Sequence, residues 1–138
     1  MKKTLKPFKG IDNIEFGMSL EKVQELVNIH ESKVTNRHLK ETKVYGDKLA
    51  YVFNDNIFVT VELQYQDDVY FNDVDIFNAD DIMEVLKGFK VATKKDNIQV
   101  QELGLILMRF KAKDKTNREL WLYSKEMVRE FEIFLNVV

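Results

Sequence analysis

The chain has 138 residues, 45% of them apolar and 32% charged, with a formal net charge of -2 and no cysteine. That balance excludes a disordered chain, and the missing cysteines exclude disulfides, thiolate catalysis and zinc-thiolate sites. The longest apolar run, Leu103 to Met108, falls far short of the roughly 20 residues a bilayer crossing needs.

A length of this order predicts one domain over residues 1–138, with about two-thirds of the unfolded surface buried. The first ten residues carry lysines with no apolar segment behind them, which predicts a cytoplasmic protein. Ser19 is placed to cap a first helix, with Glu21 favourable to its dipole and Leu20, Val23, Leu26 and Val27 on one face. Met18 and Val23 stand at staple positions. The period then changes to two, and strands are predicted near Leu39 to Tyr45, Lys48 to Asn54, Ile57 to Tyr65 and Val69 to Phe77. Turns at Gly46-Asp47, Asp55-Asn56 and Asp67-Asp68 would join them as an antiparallel meander.

A second helix is predicted after Asn78, carrying Ile82, Val85, Leu86 and Phe89 on one face and closed by Gly88. Strands at about Ile98 to Glu102, Gly104 to Phe110 and Glu119 to Tyr123 follow, the last two joined across the polar loop Lys111 to Arg118. Ser124 precedes a third helical pattern in Met127, Val128, Phe131, Phe134 and Leu135; Phe131, Ile133, Leu135 and Val137 also alternate as a strand would. One helix, four strands, one helix, three strands and one helix predict an α+β fold, helices packed on a mainly antiparallel sheet.

Charge along the chain is uneven. Between Lys48 and Lys87 no lysine, arginine or histidine occurs in 38 residues that hold nine carboxylates and seven aromatic rings. The block carries -9, leaving +7 on the other hundred residues, and a one-sign field of this kind steers oppositely charged partners. A two-residue turn at Asp67-Asp68 would set Tyr65 against Tyr70, Val61 against Val74 and Val59 against Ile76 on a core face. The same register would bring Phe58, Glu62, Phe71, Asp73 and Asp75 together on the other face, with Glu62 repelling Asp73 unless a cation or basic side chain lies between them. The alternative is a sheet covered on both faces, in which Phe53, Phe58, Phe71 and Phe77 are core beneath a helix and the acids fringe its edge.

Catalytic patterns are weak. His30 and His38 lack the spacing of a zinc-protease motif, no EF-hand loop accompanies Glu62, Asp73 and Asp75, and Ser19, Ser32 and Ser124 stand in no nucleophile elbow. No glycine-rich phosphate loop is present, and the lysines of 87–95 and of 111–118 with Arg118 lack a recognition helix, so they read as a solvated face.

The segment Gly10-Ile11-Asp12-Asn13-Ile14-Glu15-Phe16-Gly17-Met18-Ser19, followed by Val23, resembles the opening of many small bacterial proteins. Its core is similar to the helix start of BamE/SmpA-like lipoproteins and of beta-lactamase-inhibitor-like modules. The resemblance implies a helix-plus-sheet module that binds other proteins with its sheet; some similar small proteins look like immunity partners of secreted toxins. The sequence thus predicts a non-enzymatic binding module without cofactor or metal, an immunity protein or inhibitor. Its face of Phe58, Glu62, Phe71, Asp73 and Asp75 would meet a basic protein such as a nuclease toxin, not nucleic acid or membrane. The alternative function is a small-ligand or cation-binding protein, with a pocket between the sheet and the first or second helix.

Overall fold

The computed structural model describes residues 2–29, 31–36, 38 and 40–132. His30, Leu39 and the C-terminal positions Ile133, Phe134, Leu135 and Val137 lie outside the described residues. The strands are β1 (Lys3–Lys6), β2 (Gly10–Ile11), β3 (Ile14–Glu15), β4 (Glu31–Asn36), β5 (Glu41–Gly46), β6 (Leu49–Asn54) and β7 (Ile57–Gln64). They continue as β8 (Val69–Phe71), β9 (Val74–Asp75), β10 (Ala92–Lys94), β11 (Asn97–Val100), β12 (Leu105–Met108) and β13 (Glu119–Tyr123). Helices are short: α1 (Leu20–Leu26), α2 (Ile82–Val85) and α3 (Val128–Phe131).

This architecture corrects the expected α+β fold, because the protein is mostly β. Two sheets form, an eight-stranded one in the order β10-β11-β12-β13-β7-β6-β5-β4 and a five-stranded one in the order β3-β2-β1-β8-β9. The expected helices are too short to cover a sheet. α1 buries only Val23 completely, and the second helix shrinks to four residues whose N-cap is Asp81, accepting from the Glu84 N–H at 3.2 Å, rather than Asn78.

Burial comes instead from the small sheet. Leu5, Ile11, Ile14, Val69 and Phe71 join one apolar cluster with two rows of the large sheet. One row runs Leu49, Leu63, Leu120, Leu107 and Ile98; the next runs Val44, Tyr51, Val61, Leu122, Leu105 and Val100. Every member is buried, the pattern of a face fully covered by a second layer. Across the same large sheet, on the opposite face, lie Tyr45, Ala50, Glu62, Trp121, Ile106 and Gln99. Part of that face is closed by α3, whose Phe131 ring stands 4.8 Å from Tyr123 and 5.9 Å from Trp121.

The expected meander holds through β5, β6 and β7, but the alternation within β7 breaks and the fourth strand leaves the sheet. β7 is a long strand with an irregularity at Val59, where Val52 faces Thr60 but Phe53 faces Phe58. One extra residue in a strand reverses the alternation beyond it, so Phe58 turns to the core side with Val61 and Leu63. The turn at Asp67-Asp68 is no hairpin either. Val69 and Tyr70 leave the large sheet and pair in parallel with Lys3 and Thr4 of β1. The hairpin that does form is β8 to β9, through Asn72 (φ 51°) and Asp73 (φ 65°), the two left-handed positions of a type I′ turn.

The opening motif is scaffolding. Gly10 has φ +143°, and a Cβ there would fall 2.0 Å from the Ile14 carbonyl oxygen, so only glycine lets β2 fold back on β3. Ser19 caps α1 by accepting from the Lys22 N–H at 3.2 Å. Ser124, by contrast, makes no side-chain cap bond. Among the described residues no helix is long and apolar enough to cross a membrane.

Candidate functional site

The five residues expected to share one face are not brought together. Phe58 is fully buried, ringed by Phe16, Tyr51 and Phe53 at 4.9, 5.6 and 5.7 Å between centroids. Phe71 is also core, 6.2 Å from Phe89. Glu62 lies on the opposite face of the large sheet, and its cross-strand neighbours are Ala50 and Trp121 rather than Asp73. Asp73 occupies the exposed tip of the β8–β9 turn, and Asp75 the base of that hairpin. The acid-and-aromatic face is therefore corrected to phenyl rings inside and carboxylates outside. Calcium ligation by Glu62, Asp73 and Asp75 goes with it, and among the described residues no group of three or more histidines and acids is placed to hold a metal.

Several acids of the block are neutralised within the fold. Lys43 Nζ stands 3.0 Å from Glu62, Lys115 Nζ reaches Asp80 at 2.5 Å, and Lys40 Nζ approaches Asp55 at 3.8 Å. The Lys115 ammonium holds the Asp80 carboxyl below its ordinary range. Arg118, expected on a solvated basic face, is buried and donates to the carbonyls of Phe77, Ala79 and Phe110.

The Lys43–Glu62 pair is half-buried and unevenly matched. Burial pushes the Glu62 carboxyl up, against the pull of Lys43, and Glu119 and Glu41 add repulsion. Lys43 is drawn down by its own burial, yet Glu62, Tyr45 and Glu41 together hold it above its ordinary value. The two shifts have opposite meanings for the pair. Lys43 contributes stability at ordinary pH that is lost as pH rises through its raised value, whereas ionising Glu62 costs stability as pH rises through its own. Lys43→Met is thus expected to destabilise the protein by about 2 kcal/mol near neutrality, because an unpaired carboxylate stays half-buried. Below the ordinary glutamate value of about 4.3 the loss should vanish, since Glu62 is then protonated in both states; urea unfolding at the two pH values checks this.

Six acids of the block remain without an ion pair among the described residues: Asp67, Asp68, Asp73, Asp75, Asp81 and Glu84. Four of them frame the β8–β9 hairpin, and the Asn78 amide ties two of these, Asp67 and Asp75, together. That amide donates to Asp67 Oδ1 at 2.8 Å and to Asp75 Oδ2 at 3.1 Å, while Tyr65 donates to Asn78 Oδ1 at 2.7 Å. The Asp68 N–H points at Asp75 Oδ2 at 3.4 Å and the Tyr70 hydroxyl donates to Asp68 at 3.3 Å. Asp75 Oδ1 is buried and has no hydrogen-bond donor, so the cluster holds unused acceptor capacity. Two cations border the cluster: Lys2 Nζ lies 4.6 Å above the Tyr70 ring, and Lys115 Nζ donates to the Asn78 carbonyl at 3.2 Å.

Sequence reasoning missed Asn78 as organiser and Tyr65 and Tyr70 as the half-buried rings beside the acids. The Asp67-Asp68 register places both tyrosines on a core face, where only Tyr65 packs, 6.0 Å from Phe77, and the sequence makes Asn78 a helix cap. The signal available was Asn72-Asp73, a dipeptide suited to left-handed positions, which moves the hairpin turn five residues along.

No protein-family model, curated protein or solved structure matches this chain.

Proposed function

We propose that the protein is a non-enzymatic binding module that engages a basic protein through the carboxylate rim of Asp67, Asp68, Asp73 and Asp75, with Tyr65 and Tyr70 as adjoining apolar contact. It would act in the cytoplasm as an inhibitor or immunity-type partner. The observation that carries the reading is the Asn78 amide, which holds the carboxylates of Asp67 and Asp75 side by side with no ion pair to either among the described residues, the Lys115 ammonium being bonded to the Asn78 carbonyl and to Asp80 instead. Like charges held together raise the local potential, speed the encounter with a basic surface, and are relieved when its lysines or arginines arrive. The resemblance of the opening segment to small bacterial binding modules supports the same reading, although that segment itself builds the β2–β3 turn and the start of α1.

The test is a variant that removes charge and keeps shape. Asp68 and Asp73 have φ of 63° and 65°, a region asparagine tolerates, and Asp67 serves only as an acceptor that an amide oxygen replaces. Asp67→Asn/Asp68→Asn/Asp73→Asn should fold within about 1 kcal/mol of the wild type. The tagged wild-type chain should co-purify a basic protein that the triple variant loses, and the complex should come apart in high salt. Equal recovery by both chains contradicts the proposal.

A further inference from the structure

We propose that the cleft where the β2–β3 turn, the end of α1 and the β5–β6 hairpin meet binds a small organic ammonium compound, with Asp12 receiving the charged head and Leu26 and Leu49 contacting the hydrocarbon body. This site is separate from the acidic rim and does not depend on it.

The cleft encloses about 610 Å³, within the range of small-molecule sites, and lies at the junction of the two sheets and a helix, where such sites commonly form. Its floor holds Tyr51, only 6% exposed. The ring packs edge-on against Phe58, and the hydroxyl makes no hydrogen bond among the described residues. The hydroxyl oxygen is not fully enclosed, so it meets the solvent of the cleft, where a ligand can reach it. Asp12 is rigidly presented: its N–H donates to the Thr4 carbonyl at 2.9 Å and its Oδ1 accepts from the Thr4 N–H at 2.8 Å. Oδ2 accepts nothing among the described residues.

The lining selects the sign of the ligand. Two carboxylates, Asp12 and Asp47, face the single ammonium of Lys3, which already donates to Gln66 Oε1 at 2.7 Å. An anion would meet net repulsion, and a bare metal ion would find no set of three acidic or histidine ligands among the described residues. Burial and the nearby Asp12 push the Tyr51 hydroxyl up to about 12, so it stays neutral and offers its oxygen lone pairs to an ammonium N–H. Leu26, 38% exposed at the rim, and buried Leu49 supply the apolar wall.

Three probes with one ring and different heads decide the matter: cyclohexylamine, cyclohexanol and cyclohexanecarboxylate, titrated into the isotopically labelled full chain and followed by backbone amide shifts. The amine is expected to saturate shifts at Asp12, Leu26 and Tyr51, the alcohol to bind at least about tenfold more weakly, and the carboxylate not at all. Asp12→Asn keeps the acceptor for Thr4 and should weaken the amine by about tenfold with little change in melting temperature, and Tyr51→Phe should weaken it by about threefold. Absence of saturable cleft shifts, equal binding of the carboxylate, amine shifts confined to the Asp67–Asp75 rim, or unchanged amine affinity in Asp12→Asn would each overturn the assignment.

Discussion

Replacing Arg118 by methionine is expected to remove about 3 to 5 kcal/mol of folding stability, among the largest losses available to a single substitution outside the apolar core. The guanidinium is buried and bridges three backbone carbonyls, those of Phe77 at 2.9 Å, Ala79 at 3.1 Å and Phe110 at 2.9 Å, while standing 4.9 Å from the Phe110 ring centroid. Methionine fills similar volume but leaves three acceptors without donors in a place water reaches poorly. Lysine should recover only part of the loss, because a single ammonium cannot span the forked geometry. Arg118 also ties the segment that leads to Asp80 and Asp81 onto the start of β13, so its removal should loosen the acidic segment first. Urea unfolding gives the number, and hydrogen exchange at residues 76–81 gives the location. A loss below about 1 kcal/mol would mean that those carbonyls find other donors.

The second large effect is expected at Phe58. Truncation to alanine should cost about 3 to 5 kcal/mol, since the ring is wholly enclosed by Phe16, Tyr51 and Phe53 and the space cannot collapse without moving both sheets. A partner-facing anchor would behave in the opposite way, with stability unchanged and binding lost. Denaturant midpoints of Phe58→Ala and of Asp67→Asn/Asp68→Asn/Asp73→Asn therefore separate the two roles that one linear stretch of sequence combines.

Local chemistry was legible where it was self-contained. Ser19 caps α1, Asp55-Asn56 turns β6 into β7 with both residues at positive φ, and Glu119 to Tyr123 is a strand with the expected limits. What escaped the sequence depends on partners far along the chain. Lys3–Lys6 sets Thr4 and Leu5 between two lysines and shows little of a buried strand, yet it pairs in parallel with Val69 and Tyr70, more than sixty residues away, and so draws the acidic segment out of the meander. The irregularity at Val59 is equally invisible to a period-two count, because Ile57, Val59, Val61 and Leu63 alternate as if unbroken, while the fold takes Phe58 inward. The helices were overestimated for a related reason. Ile82, Leu86 and Phe89 do point to the core, but a four-residue α2 with Leu86 at φ -91° and Gly88 at φ +95° delivers them without a regular helix. The candidate site was half legible: apart from half-buried Glu62 and Asp75 the carboxylates are outward as a charged block should be, whereas the rings expected beside them form the interior, as in the covered-sheet alternative but beneath a second sheet rather than a helix.

The most direct measurement of the central claim, that an outward rim of carboxylates rather than an acid-and-aromatic face recognises a basic partner, is the association rate of the co-purified partner at ionic strengths from about 0.02 to about 0.5 M. The wild-type rate should fall steeply across that range, and the triple asparagine variant should associate at least about tenfold more slowly at low salt with a flatter dependence. Rates that coincide for the two chains at every ionic strength would contradict it.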